Sequence, residues 1–465
     1  NEIERKGDFN LFKLQVDLTK DPILKALFAF ALPLFLSNLF QQFYNTMDTM
    51  IVGHFLGDTS LAAVGAGSSI YELLVGFALG VGNGLSIVIA RAYGARDEQQ
   101  IKKAVGGSIW IGLGLTAVIM MIALFALRPL LMLLNTPANI IDESYAYISW
   151  ITFFVGVMFA YNLCAGLLRA IGNSVMPLVF LIISSILNII LDIVLITSFQ
   201  LGVAGAAIAT VISQGISCLL CIAYIRQKAP VLIPKKEHFR FEAALYQELL
   251  GQGFSMGFMM SIVSTGTVIL QSAINDFGYL IIAGHTTARK LNSFCAMPAT
   301  AFAMALSTFV SQNKGADQPE RIREGVRIAN TISAVMAVFI SVVLWLAAPT
   351  LVRFLSGSSE SVVIDNGARY LMINAPFYSV LGILLNLRNS LQGLGRKIIP
   401  LISSVIEFCG KIVFVWLFIP ILGYLGVIIC EPVIWCCMCL QLAYSFYHDS
   451  YIREHKVPRK KRVRL

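Results

Sequence analysis

Asp48, Asn188, Asp192 and Thr210 place carboxylate, amide and hydroxyl oxygens in segments that otherwise read as lipid-soluble. These are the ligands a hard cation prefers, and either carboxylate can instead take a proton. Asn188 and Asp192 stand one helical turn apart, so on a helix they share a face. A second group of ionisable residues, Glu407, Lys411 and Glu431, lies in the last apolar segments. Glu72, Arg289 and Lys290 complete the set. Ionisable side chains in apolar spans are costly and usually functional, and the chemistry of this set is ion and proton binding. Bond-breaking chemistry lacks its parts. His54, His238, His448 and His455 fall in connections or near span ends, His285 near an outer end, and no His-x-x-x-His or paired-Asp motif gathers at one membrane face. The chain is therefore not expected to be an enzyme, and no cofactor is expected beyond a bound H⁺ or Na⁺.

The elements that must position these residues are membrane helices. Of 465 residues, 57% are hydrophobic and 13% charged, with a mean hydropathy of +0.76. A soluble domain carries about twice that charge. Apolar windows long enough to cross a bilayer recur along the whole chain. They predict twelve spans at about 23–52, 60–90, 103–127, 140–168, 174–198, 202–226, 246–275, 281–312, 325–354, 364–391, 397–421 and 424–448. No secretory leader is expected ahead of the first. Connections after even-numbered spans are basic, whereas those after odd-numbered spans carry only Arg128, Arg353 and Arg369. The positive-inside rule then predicts both termini in the cytoplasm of a multi-pass plasma-membrane protein. The net charge of +9 has the same origin and implies no nucleic-acid partner. The tail "VPRKKRVRL" is expected to meet anionic headgroups. The nine cysteines lie in apolar spans, and Cys218-x-x-Cys221 reads as small hydrophobes in lipid-embedded helix.

The two halves repeat. "YGARDEQQIKKAV" (93–105) aligns with "KGADQPERIREGV" (314–326), "RAIGNSVMP" (169–177) with "QGLGRKIIP" (392–400), and "LGVAG" (201–205) with "LGYLG" (422–426), at offsets of 221 to 223. A unit of six spans enters the membrane twice in the same direction, which relates the copies by an axis along the membrane normal. The expected fold is all-α, with twelve transmembrane helices in two six-helix lobes related by a parallel pseudo-two-fold repeat. Its parts are a cytoplasmic N-terminal segment (1–22), an N-lobe (23–226), a basic linker (227–245), a C-lobe (246–448) and a basic tail (449–465).

The segments "YNTMDTMIVGHFLGDTSLAAVG", "ARAYGARD", "LRAIGNSVMP", "LNIILDIVLI", "LGVAGAAIAT" and "LQGLGRKIIP" resemble the multidrug and toxic compound extrusion (MATE) family over essentially the full chain. The resemblance implies two six-helix lobes and export of organic molecules driven by proton or sodium entry, without ATP. No GxxxxGK[ST] phosphate loop is present. In DinF-like members an aspartate on the first helix, an Asn-x-x-x-Asp pair on the fifth and a threonine on the sixth carry the coupling ion. Asp48, Asn188, Asp192 and Thr210 match that pattern, so the resemblance implies a proton or Na⁺ site there. Depth agrees: Asp192 is about 9 Å and Thr210 about 12 Å from the outer ends of their spans at helical rise, and Asp48 is near the outer end of its own. The NorM-like pattern of acids on helices seven and ten is absent.

These readings predict a secondary active antiporter that exports amphipathic, often cationic, compounds in exchange for H⁺ or Na⁺ by alternating access, acting as a monomer. The alternative is a flippase or exporter of a lipid-linked or other amphiphilic metabolite. Glu72, Tyr147, Asn162 and Arg289 are candidate cavity or gating residues, with an ion pair of Arg289 or Lys290 to Glu72 across the cleft as a competing arrangement. Through the repeat, Lys411 falls opposite Asn188 and Glu431 near Thr210. The Lys411 ammonium is thus expected to occupy the cation's place in the C-lobe, paired with Glu431 or Glu407.

Overall fold

The computed structural model describes residues 15–134 and 136–454; most of the N-terminal segment and the basic tail lie outside them. Each predicted span is a helix. They are α1 (Ile23–Leu56), α2 (Asp58–Gly94), α3 (Glu98–Leu133), α4 (Ile141–Phe153 and Val155–Ala170), α5 (Val175–Ser198) and α6 (Val203–Lys228), then α7 (Ala243–Asn275), α8 (Tyr279–Gly315), α9 (Pro319–Ser356), α10 (Ser361–Gly393), α11 (Ile398–Leu422) and α12 (Tyr424–Tyr447). All but α4 are long and apolar enough alone to cross a membrane. α4 reaches that length only as a pair bent by 49°, and the bend falls beside Gly156, which seats Thr116 of α3 against the helix backbone. The chain is a multi-pass membrane protein.

The duplication is written in the backbone. Gly57 and Gly278 both turn at φ +86°, Gly202 and Gly423 at +61° and +59°, and the non-glycine pair Arg96 and Asp317 at +56° and +53°. L-residues rarely adopt that region, so a matched pair of non-glycine exceptions marks the same turn built twice. The helices also widen at matched places: α5 ends in a π-turn at Val194–Ser198 and α11 carries one at Phe414–Phe418.

The two largest apolar cores among the described residues lie one in each lobe, and each borrows from the other. The inner half of α1, from Ile23 to Leu34, packs in the C-lobe core. Its repeat partner α7 contributes Leu245 and Leu249 to the N-lobe core. The lobes therefore meet at the end that carries the basic connections. There Ser311 Oγ donates to the Ile87 carbonyl (2.7 Å) and Gln312 Nε2 to that of Ala170 (2.7 Å). Arg91 and Lys397 share Glu248 at 3.0 and 2.8 Å. The segment before α1 straps the same face: Val16 N donates to Gly172 O (3.0 Å), and Leu18 O accepts from Asn313 Nδ2 (3.1 Å). Gln41, Gln42, Asn45, Thr46 and Thr49 on the outer half of α1 are exposed, polar residues that suit a wet cleft better than lipid.

Candidate ion-coupling site and inter-lobe cleft

Asp48 does not sit at the outer end of its helix as expected. α1 continues to Leu56, which leaves Asp48 about 12 Å inside and removes the option of reaching the interface from a helix end. α5 and α6 pack together and α1 lies against α5, which brings three helices to one point. Asn188 and Asp192 are fully buried at 0% exposure and Thr210 at 7%. The Asp48 and Asp192 carboxyl groups face each other within hydrogen-bonding reach. With its amide oriented to satisfy both ends, Asn188 donates to Asp192 Oδ2 (3.0 Å) and accepts from the Thr210 amide (3.2 Å) and hydroxyl (3.3 Å). Oδ1 of Asp48 and Oδ1 of Asp192 are buried without a hydrogen-bond partner. Two carboxylates cannot share a low-dielectric pocket with both charges bare. The arrangement calls for a proton or a cation between them, and its oxygen donors fit either one.

Tyrosines surround this point, and one was missed by sequence reasoning. Tyr44 is one turn before Asp48, and its hydroxyl meets Thr210 Oγ1 at 3.2 Å. The i, i+4 spacing from Asp48 was the available signal. Tyr147, expected to line the cavity, packs against Gly67 of α2 and lies within electrostatic range of Asp48, Tyr44 and Asp192. Asn162 is farther along α4 and spends its amide on its own helix, donating to Met158 O at 2.8 Å.

The remaining candidates separate into two places. Glu72 is exposed within a π-turn of α2 (Tyr71–Val75). Arg289 does not cross the cleft to meet it. It makes an ion pair with Glu431 inside the C-lobe, where Tyr370 also donates to Glu431 Oε2 at 2.9 Å; Lys290 is exposed. With Glu431 taken, Lys411 (2% exposed) pairs with Glu407 one turn earlier at 2.8 Å and meets Thr267 Oγ1 at 3.3 Å. Arg388 approaches the other oxygen of Glu407 only to 3.8 Å. At the repeat-related depth, one lobe holds two facing acids and the other holds acids matched with bases.

Between the lobes, above the basic-end contacts, lies a cavity of about 290 Å³ lined from α1, α2, α4, α7, α8 and α10. None of the site acids lines it.

The fold has close relatives among solved structures. A Vibrio cholerae MATE transporter VcmN in the bent form superposes with a TM-score of 0.84 at 23% identity, covering 93% of this chain and 97% of that one. A structure described as the outward-facing conformation of a multidrug resistance MATE family transporter gives 0.83 at 22% identity, covering 94% and 98%. Among curated proteins, the probable multidrug resistance protein YoeA of Bacillus subtilis is 28% identical over 439 residues, 92% of this chain and 94% of its own. YpnP of the same organism, also described as a probable multidrug resistance protein, is 28% identical over 84% of this chain and 87% of its own. The MatE family model matches twice, at residues 33–194 and 256–417, once in each lobe, and the chain belongs to that family.

Proposed function

We propose that this protein is a secondary active multidrug exporter that moves amphipathic organic compounds outward in exchange for H⁺ or Na⁺. The observation that carries the reading is the pair of facing carboxylates in the N-lobe, Asp48 and Asp192, each with one buried oxygen that has no hydrogen-bond partner among the described residues. A site of that kind changes its free energy whenever an ion or proton enters or leaves. Because one of its three helices, α1, also lines the inter-lobe cavity, that change can be spent on lobe movement. Coupling requires only that the ion favours one arrangement of the lobes and cargo the other. The described arrangement, joined at the basic end with polar residues of the outer half of α1 exposed at the other, is the state that accepts ions from outside if the basic end is cytoplasmic. The names of YoeA, YpnP and other relatives as multidrug resistance proteins support the cargo class.

Everted membrane vesicles test the reading. Uptake of a fluorescent amphiphile should be driven by an imposed pH or Na⁺ gradient without ATP. Uptake that ignores both gradients and follows ATP instead would refute it.

A further inference from the structure

The inter-lobe cavity carries positive charge and no negative charge. Arg169 of α4 and Arg388 of α10 both line it, and no carboxylate does. Their surroundings leave that charge available. Among the described residues, the ion-paired groups inside the C-lobe spans are three bases, Arg289, Arg388 and Lys411, and two acids, Glu407 and Glu431. Glu431 is held by Arg289 and Tyr370, and Glu407 sits closest to Lys411 at 2.8 Å. Arg388 is the base held least closely, its Nη2 standing 3.8 Å from Glu407 Oε2. It is 8% exposed, its Nε donates to Ser403 Oγ at 3.0 Å, and its Nη2 is buried without a hydrogen-bond partner. Arg169 reaches the same cavity from the other lobe and makes no ion pair among the described residues. A buried guanidinium without an adequate counter-charge is costly, and an incoming anion relieves that cost with paired N–H donors. The rest of the wall is apolar and deformable, with Met256, Met259, Met260 and Met304 on it. Methionine walls repack around varied apolar bodies.

We propose that this cavity is an anion subsite: it takes the carboxylate, sulfonate or phosphate end of an amphipathic cargo between Arg169 and Arg388, with the apolar body against the methionines. The inference rests on the export reading and narrows its cargo. Asp48 and Asp192 face one another inside the N-lobe and, on the export reading, hold the coupling ion, so they do not set the charge of the cargo. Because the two guanidiniums come from opposite lobes, an anion bridging them also favours the arrangement in which both walls are near.

Binding and transport together test it. Three fluorescent probes of one size are used with the purified full-length protein in nanodiscs: pyrenebutanoate, its methyl ester and pyrenebutyl-trimethylammonium. Fluorescence anisotropy should show the butanoate binding at least about tenfold more tightly than the ester or the cation. Arg388→Met and Arg169→Met should each erase that preference while leaving ester binding unchanged, and Arg388→Lys should restore part of it. Adding phosphatidylglycerol to the nanodiscs separates two sources of the anion. Competition assigns the subsite to a lipid headgroup, and its absence assigns it to a soluble amphiphile; both support an anion subsite. Equal binding of all three probes to the wild type, or a wild-type butanoate preference in both Met variants, overturns it. If Arg388→Met fails to fold, the wild-type probe series and Arg169→Met decide alone. Charge-selective binding without gradient-driven movement of any probe would overturn the export reading and leave the subsite standing.

Discussion

Gly94 and Gly315 back against each other's lobes through one symmetric contact. A methyl group added at Gly94 would lie 1.9 Å from the carbonyl oxygen of Gln312, and one at Gly315 would lie 1.9 Å from that of Arg91. The repeat superposes Gly94 on Gly315 and Arg91 on Gln312, so the clasp is one contact made twice about the pseudo-two-fold axis. Only glycine lets two helix backbones approach this closely.

The clasp predicts how the lobes are held. Gly94→Ala and Gly315→Ala should each prevent the basic end from closing while leaving each lobe folded. Overpacking of this kind typically costs about 1–3 kcal/mol, which shifts a two-state population by roughly 5- to 150-fold. Spin labels placed on the two lobes at that end should report a longer distance in both variants, with transport reduced in parallel. Unchanged distances and wild-type transport would show that the contact does not define the state.

The C-lobe ion pair predicts non-additivity. Lys411→Met leaves Glu407 buried with only the distant Arg388, and removing one partner of a buried pair costs about 3–5 kcal/mol. Glu407→Gln strands Lys411 in the same way. The double variant Lys411→Met with Glu407→Gln should be more stable than either single variant, because neither charge is then left alone. Thermal unfolding in detergent measures this. A double variant as unstable as the sum of the singles would show that the two residues do not act as a pair.

Tyr44 should matter to coupling although, among the described residues, no hydrogen bond joins it to a carboxylate. Its hydroxyl contacts the Thr210 oxygen at 3.2 Å, and Thr210 in turn orients Asn188 against Asp192. Tyr44→Phe removes a single hydrogen bond worth about 1 kcal/mol, so gradient-driven transport should fall by several-fold, well short of abolition. Complete loss would place Tyr44 among the ion's own ligands, and no change would remove it from the site.

The helices and their duplication were legible in the sequence because hydropathy and the basic connections report them directly. Gly57 with Gly278, and Arg96 with Asp317, then show the repeat surviving to the level of single backbone angles. Asp48, Asn188, Asp192 and Thr210 could be grouped because each stood out as polar in an apolar span and their depths agreed. Partners across the C-lobe could not be read the same way. Arg289, Glu431, Glu407 and Lys411 were visible as charges, but which base meets which acid depends on the packing of α8, α11 and α12. Arg289 takes Glu431 and leaves Glu407 to Lys411. The charge of the inter-lobe cavity was hidden for a related reason. Arg169 read as part of a basic connection and Arg388 as one residue of span ten, and only folding brings them to one wall.

The central claim is that Asp48 and Asp192 act as one coupling unit. Its most direct test is gradient-driven uptake of a transported fluorescent amphiphile into everted vesicles carrying Asp48→Asn, Asp192→Asn or both, measured from pH 6 to 8. The account predicts that each single variant inserts normally and loses ion-driven transport, and that the double variant is no worse than either, since residues acting as a unit are lost together. Wild-type transport by either single variant across that range would contradict it.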